Sequence, residues 1–394
     1  MIYNLCNYIN CITFVENQAL TMSKLFEYSK IVQKESFIGR NVEVNRLSSA
    51  FMNLENTAVL APQGWGKSSL IHRAAQVAAR KDGNLCVCLV DLSNVRNEER
   101  FYELLAQGVL MSVSRNQKEV VENVNRLFAG IKPKISFADS FSFSVDFDWN
   151  DIRNHQDELL DLPMAVAKEK GVKVVVCIDE FHSIAQFDDP DSLLDKFNRH
   201  WVGQENVAYC VSGSCVSTVE RFLKTSPLFK GKPDVMCLGP IERKDIISAF
   251  RERFADTGKY LDEEYAGLII DLADNNPFFI QQIAHLSWMS TSVVCSQEVV
   301  EQAFRTIVDQ MGIVYENLTS SLTSQQICYL HAVIAGETVI STAEVLHRHH
   351  ITSATSASRS KSALIDRRII SVRDGKMIIN DPIYSYWLKH RYFY

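Results

Sequence analysis

The stretch Ala61-Pro62-Gln63-Gly64-Trp65-Gly66-Lys67-Ser68-Ser69 constrains this chain more than any other part of it. It follows a short apolar run, Thr57-Ala58-Val59-Leu60, and opens a helical pattern beginning Leu70-Ile71-His72-Arg73-Ala74-Ala75. A strand that feeds a glycine-bearing turn and then a helix is the setting of a phosphate-binding loop. Gly64 and Gly66 can take backbone conformations closed to other residues, so successive N–H groups can turn inward around phosphate oxygens. The start of the helix adds its positive end to the same place. Lys67 would reach the β and γ phosphates, and the Ser68 hydroxyl would sit on Mg²⁺. Pro62, Gln63, Trp65 and Ser69 would complete the cradle. The pattern G-x-x-x-x-G-K-[ST] departs at its first position, which is Ala61 here. A methyl must fit there where glycine has none, so ATP binding is expected to persist while turnover is slow.

A second stretch supplies the metal half of such a site. Val174-Val175-Val176-Cys177-Ile178 is a continuous apolar run that ends in Asp179-Glu180. A strand buried in a sheet reads this way, and ligands bind at the carboxyl ends of such strands. Asp179 would hold Mg²⁺ through water together with Ser68. Glu180, one residue on, is placed to polarise the water that attacks the γ-phosphate. The next strand, Val207 to Val211, ends in Ser212-Gly213-Ser214, where Ser214 is the candidate to sense that phosphate; a plain strand-ending turn is the alternative.

At 394 residues the chain is long for one core, and two or three domains are expected. Strands alternate with helices from residue 31 to about 240, as in a doubly wound, mainly parallel sheet. A long helix is expected from Glu98 towards Phe128. Between residues 131 and 149 the period changes: Ile135, Phe137, Phe141, Phe143, Val145, Phe147 and Trp149 alternate with Ser and Asp, an aromatic β-hairpin inserted in the sheet domain. From Ile241 to Thr319 only helical patterns appear, broken at Asn275-Asn276-Pro277. The net charge of −6 argues against nonspecific nucleic-acid binding by the chain as a whole. Ten scattered cysteines without a C-x-x-C pair read as buried thiols of a cytoplasmic protein. No apolar run reaches the ~18–20 residues of a membrane helix. Residues 1–30 read as an extension, with Met22 a candidate start in place of Met1.

Six segments together resemble the archaeal-type, STAND-related P-loop ATPases, relatives of the AAA+ group. They are Phe37-Ile38-Gly39-Arg40, Ala61 to Ser69, Cys177-Ile178-Asp179-Glu180-Phe181-His182, Tyr209-Cys210-Val211-Ser212-Gly213-Ser214, Asn276-Pro277-Phe278-Phe279 and Asn380-Asp381-Pro382-Ile383-Tyr384. The resemblance implies a P-loop ATPase domain over 31–240, a helical lid over 241–319 and a C-terminal domain over 320–394. It also implies that Ile38, Gly39 and Pro277 lie against the adenine. The Gly-Arg that often follows the sensor strand is Gly231-Lys232 here, and a lysine cannot present a planar fork. Arg221 is a weaker candidate for an arginine finger.

The last domain reads as a winged helix. Helices over Ser324–Ala335, Ser341–His349 and Ser353–Arg367 precede two alternating strands, Ile369 to Ile379, joined by Asp374-Gly375, a strong hairpin signal. From residue 320 onward nine Lys and Arg stand against five Asp and Glu. Arg359, Lys361, Arg367, Arg368 and Arg373 would supply phosphate contacts to DNA. Packing against another part of the chain, or against a protein partner or a second copy, is the alternative. His347, His349 and His350 lack Cys or carboxylate partners at ligand spacing and read as a solvated helix end. The expected function is a nucleotide-dependent switch driven by Mg·ATP. The rivals are an ATP-regulated DNA-binding initiator or regulator, and an interaction scaffold with a degenerate site that docks through the aromatic hairpin.

Overall fold

The computed structural model describes residues 25–28, 31–127, 134–137, 143–146, 149–213, 217–229, 234–373 and 375–393. The chain divides into two units, one of residues 40–239 and one that joins the stretch up to residue 39 with the stretch from 240 onward.

The strands of the 40–239 unit are β1 (Thr57–Leu60), β2 (Leu85–Asp91), β3 (Lys134–Phe137), β4 (Phe143–Asp146), β5 (Lys173–Asp179), β6 (Val207–Gly213) and β7 (Asp234–Cys237). Five of them form a sheet in the order β2-β5-β6-β1-β7, and every pairing in it is parallel. Val174, Val175, Val176 and Ile178 on β5 are fully buried, and β6 is buried along its whole length, as strands covered on both faces require. Register brings three strand ends level: Leu60 lies beside Gly213, and Ile178 beside Val211. Strands β3 and β4 pair with each other in antiparallel register, Ile135 opposite Val145. Of the rest of the expected hairpin, Phe141 and Phe147 lie outside the described residues, and Trp149 starts a helix instead of extending a strand.

The helices of this unit are α1 (Asn41–Met52), α2 (Lys67–Lys81), α3 (Glu98–Val113), α4 (Gln117–Leu127), α5 (Trp149–Asn154), α6 (Gln156–Lys170), α7 (Pro190–His200) and α8 (Ser217–Thr225). The one long helix expected after Glu98 is therefore two. Ser114 is extended, and the Asn116 side chain accepts from Glu119 N at 3.0 Å, which starts a new helix. The core of the unit includes a layered aromatic stack. The rings of Phe197 and Trp201 lie 3.9 Å apart at 10°, and those of Trp201 and Tyr209 lie 4.2 Å apart at 14°. Trp201 is 1% exposed, so Trp201→Ala removes the middle of the stack from a packed core. Denaturant unfolding is expected to show a loss of about 3–5 kcal/mol in the unit's stability.

The other unit begins with the segment at Phe26, whose ring meets Phe250 at 5.5 Å and Phe254 at 6.0 Å. Arg253 is buried and donates to Ser36 O at 2.8 Å, and burial lowers its pKa to about 10. These ties place residues 31–39 with the helices after 240. Helices α9 (Arg243–Ala255), α10 (Glu263–Leu272), α11 (Pro277–Ser290) and α12 (Gln297–Ser320) follow. The stretch from Ile241 to Thr319 is not helical throughout: β8 (Tyr260–Leu261) and β9 (Val294–Cys295) pair in parallel within it. Then come α13 (Ser324–Ile334), α14 (Ala343–Arg348), α15 (Ala354–Asp366), the hairpin β10 (Ile370–Arg373) and β11 (Lys376–Ile379), and α16 (Pro382–Trp387). Gly375 takes a φ of 76° in the hairpin turn, a conformation that favours glycine. Helix α16 was not expected. Asp381 caps it by accepting from Ile383 N and Tyr384 N, and the Tyr315 hydroxyl on α12 donates to the same carboxylate at 2.9 Å.

Candidate functional site

The site begins where β1 ends. Ala61 N donates to Gly213 O at 3.2 Å, which extends the β1–β6 pairing by one residue into the loop. Ala61 is buried and is not among the residues of positive φ, so its methyl sits in an ordinary backbone conformation. The positions that need glycine are the next two: Gly64 has a φ of 80° and Gly66 a φ of 83°. A Cβ built on Gly66 meets nothing within 4 Å, so conformation, not space, makes the demand there. Helix α2 starts at the following residue, Lys67. Pro62, Gly64, Gly66 and Ser68 are partly exposed and Gln63 is exposed, while Trp65, Lys67 and Ser69 are buried.

Lys67 is 4% exposed, and its ammonium donates to Ala61 O at 3.1 Å and Pro62 O at 3.3 Å. It also lies 3.6 Å from Glu180 Oε1. The Ser68 hydroxyl donates to one oxygen of Asp179 and the Ser212 hydroxyl to the other. Glu180 N adds a third donor at 2.9 Å. Glu180 itself takes a φ of 53°, a left-handed conformation that is uncommon for a side-chain-bearing residue. Its second oxygen lies 3.2 Å from Nε2 of the buried His182. Lys67 and Ser68 of the loop thus converge with Asp179, the last residue of β5, and Glu180, the next one. Asp179 and Ser68 offer only oxygen, the donor type that suits Mg²⁺.

Ser212 is the residue that sequence reasoning passed over. Ser214 was singled out instead, and it lies outside the described residues, as do Gly231 and Lys232. The strand alternation held the signal: Val211 is level with Ile178, so the next residue on each strand is Ser212 beside Asp179. Arg221 is exposed and paired with Asp191. Ile38, Gly39 and Pro277, implied as adenine contacts, belong to the other unit. There Ile38 is buried, and Pro277 opens α11 behind Asn276, whose side chain caps Phe278 N at 3.0 Å.

In the C-terminal domain Arg359 and Lys361 are exposed on α15. Arg367 donates to Ser321 O at 3.2 Å, and Arg373 pairs with Asp274 at 3.2 Å, so these two already have partners within the chain. Arg368, partly exposed, follows the end of α15 with a φ of 58°. The expected solvated histidine cluster is corrected at one position. His347 and His350 are exposed, but His349 is 3% exposed, 3.2 Å from Glu337 and 3.4 Å from His331. Among the described residues no group of His, Cys, Asp and Glu is arranged to hold a metal by itself.

Solved structures share this fold. A Walker-type ATPase of Pyrococcus abyssi superposes with a TM-score of 0.65 at 16% identity, over 93% of this chain and 99% of that one. The fold is that of a P-loop ATPase. The ORC2 protein of Aeropyrum pernix, solved as ADPNP–ADP complexes, superposes on the same P-loop fold with a TM-score of 0.55 at 12% identity, over 91% of this chain and 94% of that one. The family model described as "Probable winged helix domain" matches residues 313–390, so the P-loop ATPase fold here ends in a winged helix. Compared with curated proteins by sequence, the chain matches none. No helix among the described residues is long and apolar enough to cross a membrane.

Proposed function

We propose that the protein is an ATP-binding ATPase of the archaeal, STAND-related type that works as a nucleotide-dependent switch with slow Mg²⁺-dependent hydrolysis. The observation that carries this reading is Asp179, which accepts from Ser68 of the phosphate loop and Ser212 of β6 while Glu180 stands beside Lys67. In that arrangement Lys67 would bind the β and γ phosphates, and Ser68 and Asp179 would hold Mg²⁺. The ion, when bound, neutralises charge on the phosphates. Glu180 would orient the attacking water and take its proton. Ile38, Gly39 and Pro277 would contact the adenine, and a change of nucleotide state would bias the lid and the winged helix. Free cysteines, several of them buried in the sheet, suit a cytoplasmic setting.

A second reading is favoured by one observation: Arg359 and Lys361 stand exposed on α15, the third helix of the winged-helix domain. An ATP-regulated DNA-binding initiator or regulator would use them on phosphates. ATPase activity measured with and without duplex DNA tests both readings. Wild-type protein that neither binds nor hydrolyses Mg·ATP excludes the first. For the second, a gel shift that weakens with salt and falls about tenfold or more in Arg359→Ala with Lys361→Ala is expected. A shift unaffected by the double substitution excludes that surface.

A further inference from the structure

We infer that Arg40 is a positioning residue for the phosphate loop: by holding the Trp65 carbonyl it aims the Gly66 amide into the cradle. The inference rests on the nucleotide-binding reading above and assigns a role in that same site.

Arg40 immediately precedes α1 with a φ of 55° and a ψ of 28°, in the left-handed region that a residue with a Cβ seldom visits. Its side chain runs inward and is 3% exposed. One terminal nitrogen, Nη2, donates to Gly239 O at 2.9 Å and to Trp65 O at 3.3 Å. The other, Nη1, pairs with Glu43 Oε1 at 3.3 Å. Burial pulls the guanidinium pKa below its ordinary value, and Glu43 opposes that shift. Burying a charge is costly unless its donors find acceptors. Two of the acceptors here are main-chain carbonyls, 25 and 199 residues away along the chain.

Peptide stereochemistry supplies the consequence. A trans peptide is planar, so its C=O and the next N–H point in opposite directions. With the Trp65 carbonyl turned to Arg40, the Gly66 N–H is turned away from it, to the side where phosphate oxygens would lie. The left-handed φ of 83° at Gly66 then passes directly into α2 at Lys67. Lys67 holds the Ala61 and Pro62 carbonyls of the same loop. The two cations between them hold three carbonyls of the turn. Arg40 and Gly239 are also the first and last residues of the 40–239 unit, so one guanidinium ties the loop to both ends of that unit's chain.

Arg40→Lys is the informative substitution, because a lysine keeps the charge but lacks the planar fork that reaches both carbonyls and Glu43. Binding of Mg·ATP, Mg·ADP and adenosine to the full chain would be followed by titration calorimetry. Hydrogen–deuterium exchange of the segment 61–69 would be followed without ligand. In Arg40→Lys, ATP and ADP are expected to bind about ten- to a hundredfold more weakly, the effect of losing charge-assisted hydrogen bonds. Adenosine affinity should not change, and exchange in 61–69 should quicken. Glu43→Gln, which leaves both carbonyl contacts in place, should bind ATP as the wild type does. The inference is overturned if Arg40→Lys binds ATP normally with unchanged exchange, or if Glu43→Gln is equally impaired. Should Arg40→Lys not fold, Arg40→Gln carries the same comparison. If wild-type protein binds no nucleotide, the functional reading falls by itself, and loop exchange in the Arg40 variant still decides whether the guanidinium positions the loop.

Discussion

ATP binding is expected to disappear when Lys67 is replaced by alanine, with affinity falling by about a hundredfold or more. The ammonium is already out of water, held by the Ala61 and Pro62 carbonyls and facing Glu180. A phosphate that meets it therefore gains charge-assisted hydrogen bonds with little further desolvation of the lysine. Two such bonds at about 1.5 kcal/mol each correspond to roughly that hundredfold loss. Titration with Mg·ATP reads the affinity, and a thermal melt of the ligand-free variant shows whether the fold survives. An unchanged affinity in a folded variant excludes the phosphate-loop assignment.

Glu180→Gln should separate binding from chemistry. The amide cannot take a proton from water, so turnover is expected to fall about 10²–10⁴-fold, the range of general-base catalysis. Binding should persist or tighten, because the substitution also removes the carboxylate charge that faces Lys67 without nucleotide. Unhydrolysed ATP should then co-elute with the variant on gel filtration. Turnover equal to wild type would move the base elsewhere, and His182, 3.2 Å from Glu180, would be the first residue to examine.

Much of this site was legible because its residues are neighbours in sequence or answer a local backbone demand. Gly64 and Gly66 occupy the left-handed region, which a turn into a helix requires. Asp179 ends a run of buried valines, as a central parallel strand dictates. What stayed hidden depends on distant residues. Ser212 meets Asp179 across 33 residues, and only strand register shows that it, rather than Ser214, stands level with the carboxylate. Arg40 could be read as part of a motif, but not as the donor to carbonyls at 65 and 239. The two-residue strands β8 and β9 have no period to read, and α16 is only six residues long. His349 appeared solvated because its partners, Glu337 and His331, lie on the far side of a turn.

The unit that joins the first residues to the last has a consequence for how the chain comes to fold. Ser36 and Arg253, which bond each other, are separated by 217 residues. At a synthesis rate of about 5–20 residues per second, on the order of 10–40 s pass between the appearance of one and of the other. The whole 40–239 unit can emerge and close in that interval, while the Phe26 ring waits for Phe250 and Phe254. Until Phe250 and Phe254 are made, the Phe26 ring lacks the two aromatic partners it packs on in the finished chain.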